Sequence, residues 1–144
     1  MATRQIRKIA VLGAGTMGSR IAAHIANAGV PVVLLDMVPP GTDASAEKAA
    51  KNKFALSALD GLKKAKPAAF FVPENARLVT VGNFDDDMGL IAECDWIIEV
   101  VAENLEIKRA LLDRVERHRR GDSIVTSNTS GLPIHEIVEG RSDE

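Results

Sequence analysis

The chain reads as an α/β protein, a doubly wound, mostly parallel sheet with helices on both faces. Three observations carry that expectation. Short apolar runs such as Ile9-Ala10-Val11-Leu12 and Val32-Val33-Leu34-Leu35 are continuous, as strands buried on both sides should be. Between such runs, apolar residues recur at helical spacing of three or four. Strand and helix then alternate along the chain without an internal repeat, and parallel neighbours need helical crossovers of this kind. With 144 residues, 46% hydrophobic and 26% charged, the chain suits one domain, residues 1–144, with a real core.

Taken in order, the first strand is Ile9 to Leu12, and it ends in glycine. Met17, Ile21, Ile25 and Ala28 mark one face of a helix. Gly29 closes that helix from the position after its last turn. Pro31 opens the second strand, where its missing N–H does little harm, and Asp36 ends it. Val38-Pro39-Pro40-Gly41 is a turn cluster. A helical arm is predicted over about 45–66, with Phe54, Ala58 and Leu62 on one face and a possible break at Gly61. Pro67 and Pro73 bracket a loop. Leu78 to Val81 is a short strand and Met88 to Glu93 a small helix. Trp96 to Val101 is the strongest remaining strand. Ile107, Leu111 and Val115 mark a helix from about Asn104 to Arg119. Ser123 to Ser127 is the last strand, and Pro133 sits in the first turn of a final helix.

Composition removes several function classes. The net charge of −2 speaks against a basic nucleic-acid binder. A single cysteine, Cys94, allows neither a disulfide framework nor a cysteine zinc cluster, and no metal is expected. No apolar run nears the ~18 residues of a membrane span. Arg4, Arg7 and Lys8 before Ile9 to Leu12 resemble a signal peptide only briefly, because Gly13, Gly15 and Gly18 interrupt the apolar stretch. The expected compartment is the cytoplasm.

The chemistry concentrates in three places. Gly13-Ala14-Gly15-Thr16-Met17-Gly18 is a G-x-G-x-x-G run placed directly after a strand and opening a helix. Gly13 permits the tight turn, Gly15 lets a pyrophosphate approach the backbone, and Gly18 lets helix and strand pack closely. Thr16 and Met17 belong to the same expected cofactor loop, where free N–H groups and the helix dipole favour phosphate. Asp36 follows at the distance expected of an acid that holds the adenosine ribose of a Rossmann-type domain. Its charge, with Met37 rather than an arginine next, favours NAD over NADP. The last strand ends in Ser127-Asn128-Thr129-Ser130-Gly131, at the end of the sheet where ligands bind. Such residues also fill ordinary turns before helices, and the residues alone leave both readings open. Glu99, Glu103 and Lys108 read equally as a solvated helix start.

Three stretches together resemble the N-terminal domain of the 3-hydroxyacyl-CoA dehydrogenases. They are the glycine run, the segment from Trp96 to Lys108 and Ser127-Asn128-Thr129-Ser130. The likeness is greatest to long bacterial fatty-acid-degradation proteins in which a dehydrogenase part precedes an enoyl-CoA hydratase-like part. The resemblance implies that Asp36 holds the adenosine ribose and that Glu103 and Lys108 line the NAD site. It implies that Ser130 lies between the nicotinamide and the substrate's 3-oxygen, with Asn128 supporting it. It also implies a coenzyme A contact on the arm near Ser45, Lys51 and Lys53, although Asn52 stands where the key lysine aligns.

The expected activity is NAD-dependent oxidation of (3S)-hydroxyacyl-CoA in fatty-acid β-oxidation, by a parent that is usually a homodimer. The family's catalytic histidine, in a His-Phe-Phe-Asn-Pro motif, and its assisting glutamate would lie beyond Glu144, with the helical C-terminal domain. His24, His118 and His135 read as surface or structural. The fragment is therefore expected to bind NAD and turn over poorly. A non-catalytic NAD(H)-binding, redox-sensing module is the alternative. A 3-hydroxyacid dehydrogenase or an S-adenosylmethionine-dependent methyltransferase fits the Ser127 to Ser130 and Glu103 to Lys108 stretches less well.

Overall fold

A computed structural model describes residues 4–141, so the two ends of the expected 1–144 domain, Glu144 included, lie outside the described residues. Five strands form one sheet in the order β3-β2-β1-β4-β5. They are β1 (Ile9–Leu12), β2 (Val32–Asp36), β3 (Val79–Asn83), β4 (Trp96–Glu99) and β5 (Ile124–Ser127). Every pairing is parallel, with Ile9 opposite Val32 on one side and Trp96 on the other. The helices are α1 (Thr16–Asn27), α2 (Lys48–Lys51), α3 (Lys53–Lys63), α4 (Leu105–His118) and α5 (Ile134–Ile137). Two 3₁₀ segments, Pro73–Leu78 and Met88–Glu93, precede β3 and β4.

The alternation of strand side chains explains why the apolar runs are continuous. Ile9, Val11, Val32, Leu34 and Ile98 face a core shared with α1 and α3. Ala10, Leu12, Val33, Leu35 and Ile97 face a second core with Leu111, Leu112 and Val115 of α4 and Ile137 of α5. Each fully buried aliphatic side chain contributes about 1.5–3 kcal/mol.

The structure corrects three expected helix faces. In α1 the buried residues are Gly18, Ser19, Ala22, Ala23, Ile25 and Ala26, whereas Met17 is exposed. The helix turns its small residues to the sheet because the glycine loop requires close approach. In α3 the buried face is Ala55, Leu59 and Leu62, and Phe54 is exposed. In α4 Ile107 is exposed, and Lys108 joins Leu111, Leu112 and Val115 inside.

The arm also breaks at Asn52, not at Gly61. Asn52 is buried, and its side-chain oxygen accepts a 2.6 Å hydrogen bond from the amide of Asn83, itself fully buried. A tertiary bond at the end of β3 thus sets the kink. Pairs from Lys48 to Asp87 (3.0 Å) and Lys51 to Asp86 (3.3 Å) flank it.

Strand ends shift for ordinary reasons. β4 stops at Glu99, because Val100 and Val101 belong to the turn that follows, and Leu78 belongs to the 3₁₀ segment before β3. Pro133 caps α5 rather than lying within it, and Gly29 follows α1 with φ +77° as expected. Among the described residues no helix is long and apolar enough to cross a membrane.

Candidate functional site

The chain begins mid-sheet at β1, winds outward through β2 and β3, and returns to set β4 on the other side of β1. The connections after β1 and β4 lead to helices on opposite faces, and a crevice opens beyond the strand ends. The glycine loop forms its floor. Gly13 has φ +115°, and a side chain there would meet the Val100 carbonyl oxygen at 2.5 Å. A Cβ on Gly18 would stand 1.8 Å from the Gly13 carbonyl oxygen. A Cβ on Gly15 would meet nothing within 4 Å, so it would project into open space over the loop.

That space has the chemistry of an anion cradle. No described side chain caps α1, and its first turn carries no acid. The first-turn N–H groups of a helix lack intrahelical partners and attract negative charge. Thr16 and Met17 are exposed there. Beside them Asp36 ends β2. Its Oδ2 accepts the Ala14 N–H at 2.6 Å and its Oδ1 the Met37 N–H at 2.6 Å. The carboxylate thus tethers the loop and keeps lone pairs for further donors. A mostly apolar cavity of about 460 Å³ adjoins it, lined by Met37, Phe84, Val101, Ile107 and Arg114 among others. The uncapped helix end, the open space over Gly15 and a carboxylate beside an apolar pocket fit a dinucleotide.

A second cluster lies beyond β4 and β5. Glu103 accepts hydrogen bonds through Oε1 from the Thr129 hydroxyl (2.5 Å), the Ser130 N–H (3.2 Å) and the Gly131 N–H (2.8 Å). The Thr129 hydroxyl first, then the Gly131 N–H, holds its carboxyl down at about 2. Lys108 reaches its other oxygen at 3.4 Å. Asn104 caps α4 by accepting the Ile107 N–H at 3.0 Å, which fixes where the helix starts. Ser130 and Asn128 are exposed, and among the described residues no hydrogen bond engages the Ser130 hydroxyl or the Asn128 side chain. Neither residue lines the apolar cavity.

The structure therefore brings Gly13, Gly15, Gly18 and Asp36 together, and joins Glu103 to the turn bearing Ser130. It departs from the expectation for Lys108, which is 0% exposed and cannot line the crevice surface in this state. It also overturns the reading of Glu99 as part of a solvated helix start, because Glu99 is equally buried and paired with Lys108. On the arm, Ser45 bonds Asp43 and Lys51 pairs with Asp86. The pocket residues Phe84 and Arg114 escaped sequence reading, since neither belongs to a motif. For Glu99 a signal existed, an acid closing an otherwise apolar strand run.

Comparison with known proteins agrees with this geometry. The profile of the family described as "3-hydroxyacyl-CoA dehydrogenase, NAD binding domain" matches residues 8–144. A Bacillus subtilis (strain 168) protein named "Probable 3-hydroxyacyl-CoA dehydrogenase" is 46% identical over 98% of this chain and 19% of its own length. A Deinococcus radiodurans protein of the same name is 43% identical over 97% of this chain and 39% of its own. The chain thus spans well under half of these relatives. The crystal structure of 3-hydroxybutyryl-CoA dehydrogenase from Escherichia coli shares the fold, with a TM-score of 0.75 at 24% identity over 96% of this chain and 28% of that one.

Proposed function

The chain belongs to the 3-hydroxyacyl-CoA dehydrogenase family as its NAD-binding domain, and from that premise we propose that it serves the oxidation of (3S)-hydroxyacyl-CoA to 3-ketoacyl-CoA in fatty-acid β-oxidation. The observation that carries the reading is the uncapped start of α1 beside Asp36, at the point where the strand order reverses.

NAD, when bound, accepts the hydride that the oxidation removes. The residues of this chain bind and orient. Gly13 and Gly18 hold loop and helix in contact, and Gly15, Thr16 and Met17 offer backbone N–H groups to the pyrophosphate. Asp36 accepts hydrogen bonds from the adenosine ribose hydroxyls and repels a 2′-phosphate. Met37 and Ile107 give the adenine an apolar wall. Glu103, with Lys108 behind it, holds the turn that carries Asn128 and Ser130. Ser130 donates its hydroxyl hydrogen bond to the substrate's 3-oxygen, and Asn128 supports it.

Proton removal from the hydroxyl requires a general base. His24, His118 and His135 are exposed, the His118 ring bonds the Arg114 carbonyl, and none of the three lines the cavity beside the glycine loop. We expect residues 1–144 on their own to bind NAD and turn over poorly unless one of these histidines serves as the base, whose loss would cost about 10²–10⁴-fold. A cytoplasmic setting, a homodimeric parent and no membrane partner complete the reading, and the net charge of −2 speaks against a nucleic-acid partner.

Energy transfer from Trp96, the sole tryptophan, to NADH tests the proposal. NADH should bind with NADPH much weaker, and S-adenosylmethionine should not compete. Binding of S-adenosylmethionine without NADH would reject it. Robust turnover by this chain alone would reject the division of labour.

A further inference from the structure

Glu99 and Lys108 are among the largest fully buried side chains of the protein, both at 0% exposure. An ion pair so placed is a poor source of stability, because well-packed apolar residues often do as well or better there. Its contacts are instead directional. Glu99 Oε1 accepts from Lys108 Nζ at 2.9 Å and from the Val101 N–H at 2.7 Å. Glu99 Oε2 accepts from Lys108 Nζ at 3.1 Å and from the Ser127 hydroxyl. The Glu99 backbone carbonyl accepts the Asn128 N–H at 2.8 Å. Lys108 continues outward to the Val101 carbonyl (3.3 Å) and to Glu103 (3.4 Å), and Glu103 holds Thr129, Ser130 and Gly131.

These contacts tie the end of β4, the first turns of α4 and the segment after β5 to one buried carboxylate. Val101 belongs to the wall of the apolar cavity, while Ser130 lies in the turn beyond it. Two loops that must stand at a fixed separation thus share one anchor. We infer that Glu99 is a positioning residue for the cofactor site: it fixes Lys108 beneath the loop between β4 and α4, and through Lys108 and Glu103 sets the turn that carries Ser130. The inference rests on the NAD reading above, and it assigns Glu99 no contact with the cofactor.

Glu99→Gln tests it, since the amide keeps the size but places a donor opposite Lys108 or the Val101 N–H. The expected result is at least a tenfold rise in the NADH dissociation constant, read by energy transfer from Trp96. AMP, which engages only the adenosine half and meets Glu99 through Val101 alone, should lose far less affinity than NADH, and the amide resonances of Ser130 and Gly131 should shift. Thr129→Val breaks the outermost link without touching the core, so it decides the matter if Glu99→Gln does not fold. It should weaken NADH several-fold with AMP unchanged. Glu99→Met combined with Lys108→Met gives an uncharged interior and should lose NADH affinity far more than AMP affinity. Wild-type NADH affinity in that double variant, or NADH and AMP affinities that stay constant or fall by the same factor in the single variants, overturns the inference and leaves the NAD reading standing. Failure of the wild type to bind NADH overturns both.

Discussion

Replacing Gly18 by alanine sets two physical effects against each other. Alanine is the better helix former by about 0.8–1.0 kcal/mol, and Gly18 lies within the first turn of α1. On propensity alone the substitution would stabilise. The added Cβ, however, would stand 1.8 Å from the Gly13 carbonyl oxygen and 2.9 Å from its carbon. Ordinary contact begins near 3.4 Å, so helix and loop must separate by ~1.6 Å. The loop cannot yield toward β4, because Gly13 already lies against the Val100 carbonyl. Forced overpacking costs about 1–3 kcal/mol, sometimes more, and a clash with backbone atoms belongs to the upper part, about 2–3, so Gly18→Ala should be destabilising by roughly 1–2 kcal/mol once the propensity gain of about 1 is deducted. Gly61→Ala provides the control. Gly61 is exposed in α3, and a Cβ there meets nothing within 4 Å, so it should stabilise by about 0.5–1 kcal/mol. Urea unfolding of wild type and both variants measures the two shifts, and NADH titration should show affinity falling in Gly18→Ala alone. Gly18→Ala at or above wild-type stability would refute the close-approach argument.

Three further outcomes follow from the site and its supports. Asp36→Ala removes a charged acceptor, so NADH affinity should fall about 10–100-fold, the range of a hydrogen bond to a charged group, while the NADH-to-NADPH preference narrows. An unchanged preference would contradict the ribose assignment. The Glu103 carboxyl is lowered from 4.5 to about 2, so its contribution is complete above pH 4.5 and is lost as pH falls toward 2. The Gly131 amide resonance, followed by NMR from pH 6 downward, should titrate near 2, and a midpoint near 4.5 would show that the bonds do not form. Asn83→Leu leaves the buried Asn52 oxygen unpaired at about 1–3 kcal/mol, and the arm over α2 and α3 should become the first site of proteolytic cutting. Uniform cleavage elsewhere would argue against the clamp.

Central strands were plain in the sequence because burial on both faces leaves nothing but aliphatic residues in β1 and in Val32 to Leu35 of β2. The glycine motif was legible for a related reason, since its conformational demands admit few other residues. Helix faces were harder. Apolar periodicity weighs Met17 and Ile107 above Gly18 and Ala22, yet α1 packs by closeness and therefore buries its smallest residues. The kink at Asn52 was hidden because its partner, Asn83, lies 31 residues away. Glu99 and Lys108 were misread by the rule that charges seek water, which fails when two opposite charges neutralise each other inside. The Ser127 to Ser130 stretch could be placed at the end of β5, but its tie to Glu103 depends on how β4 and β5 align, and no local pattern reveals that.

The strand order also fixes when the crevice comes into being. β1 pairs with β2, about twenty residues on, and with β4, which starts at Trp96. Chains emerge from synthesis with the amino-terminal end first. The glycine loop and Asp36 therefore exist well before Val100, the residue that closes over Gly13. A nascent chain carrying β1, α1 and β2 has the glycine turn without the wall opposite it. The wall opposite the glycine loop arises only with the long-range pairing of β1 and β4, so ligand capture would report that pairing rather than the first contact of β1 with β2.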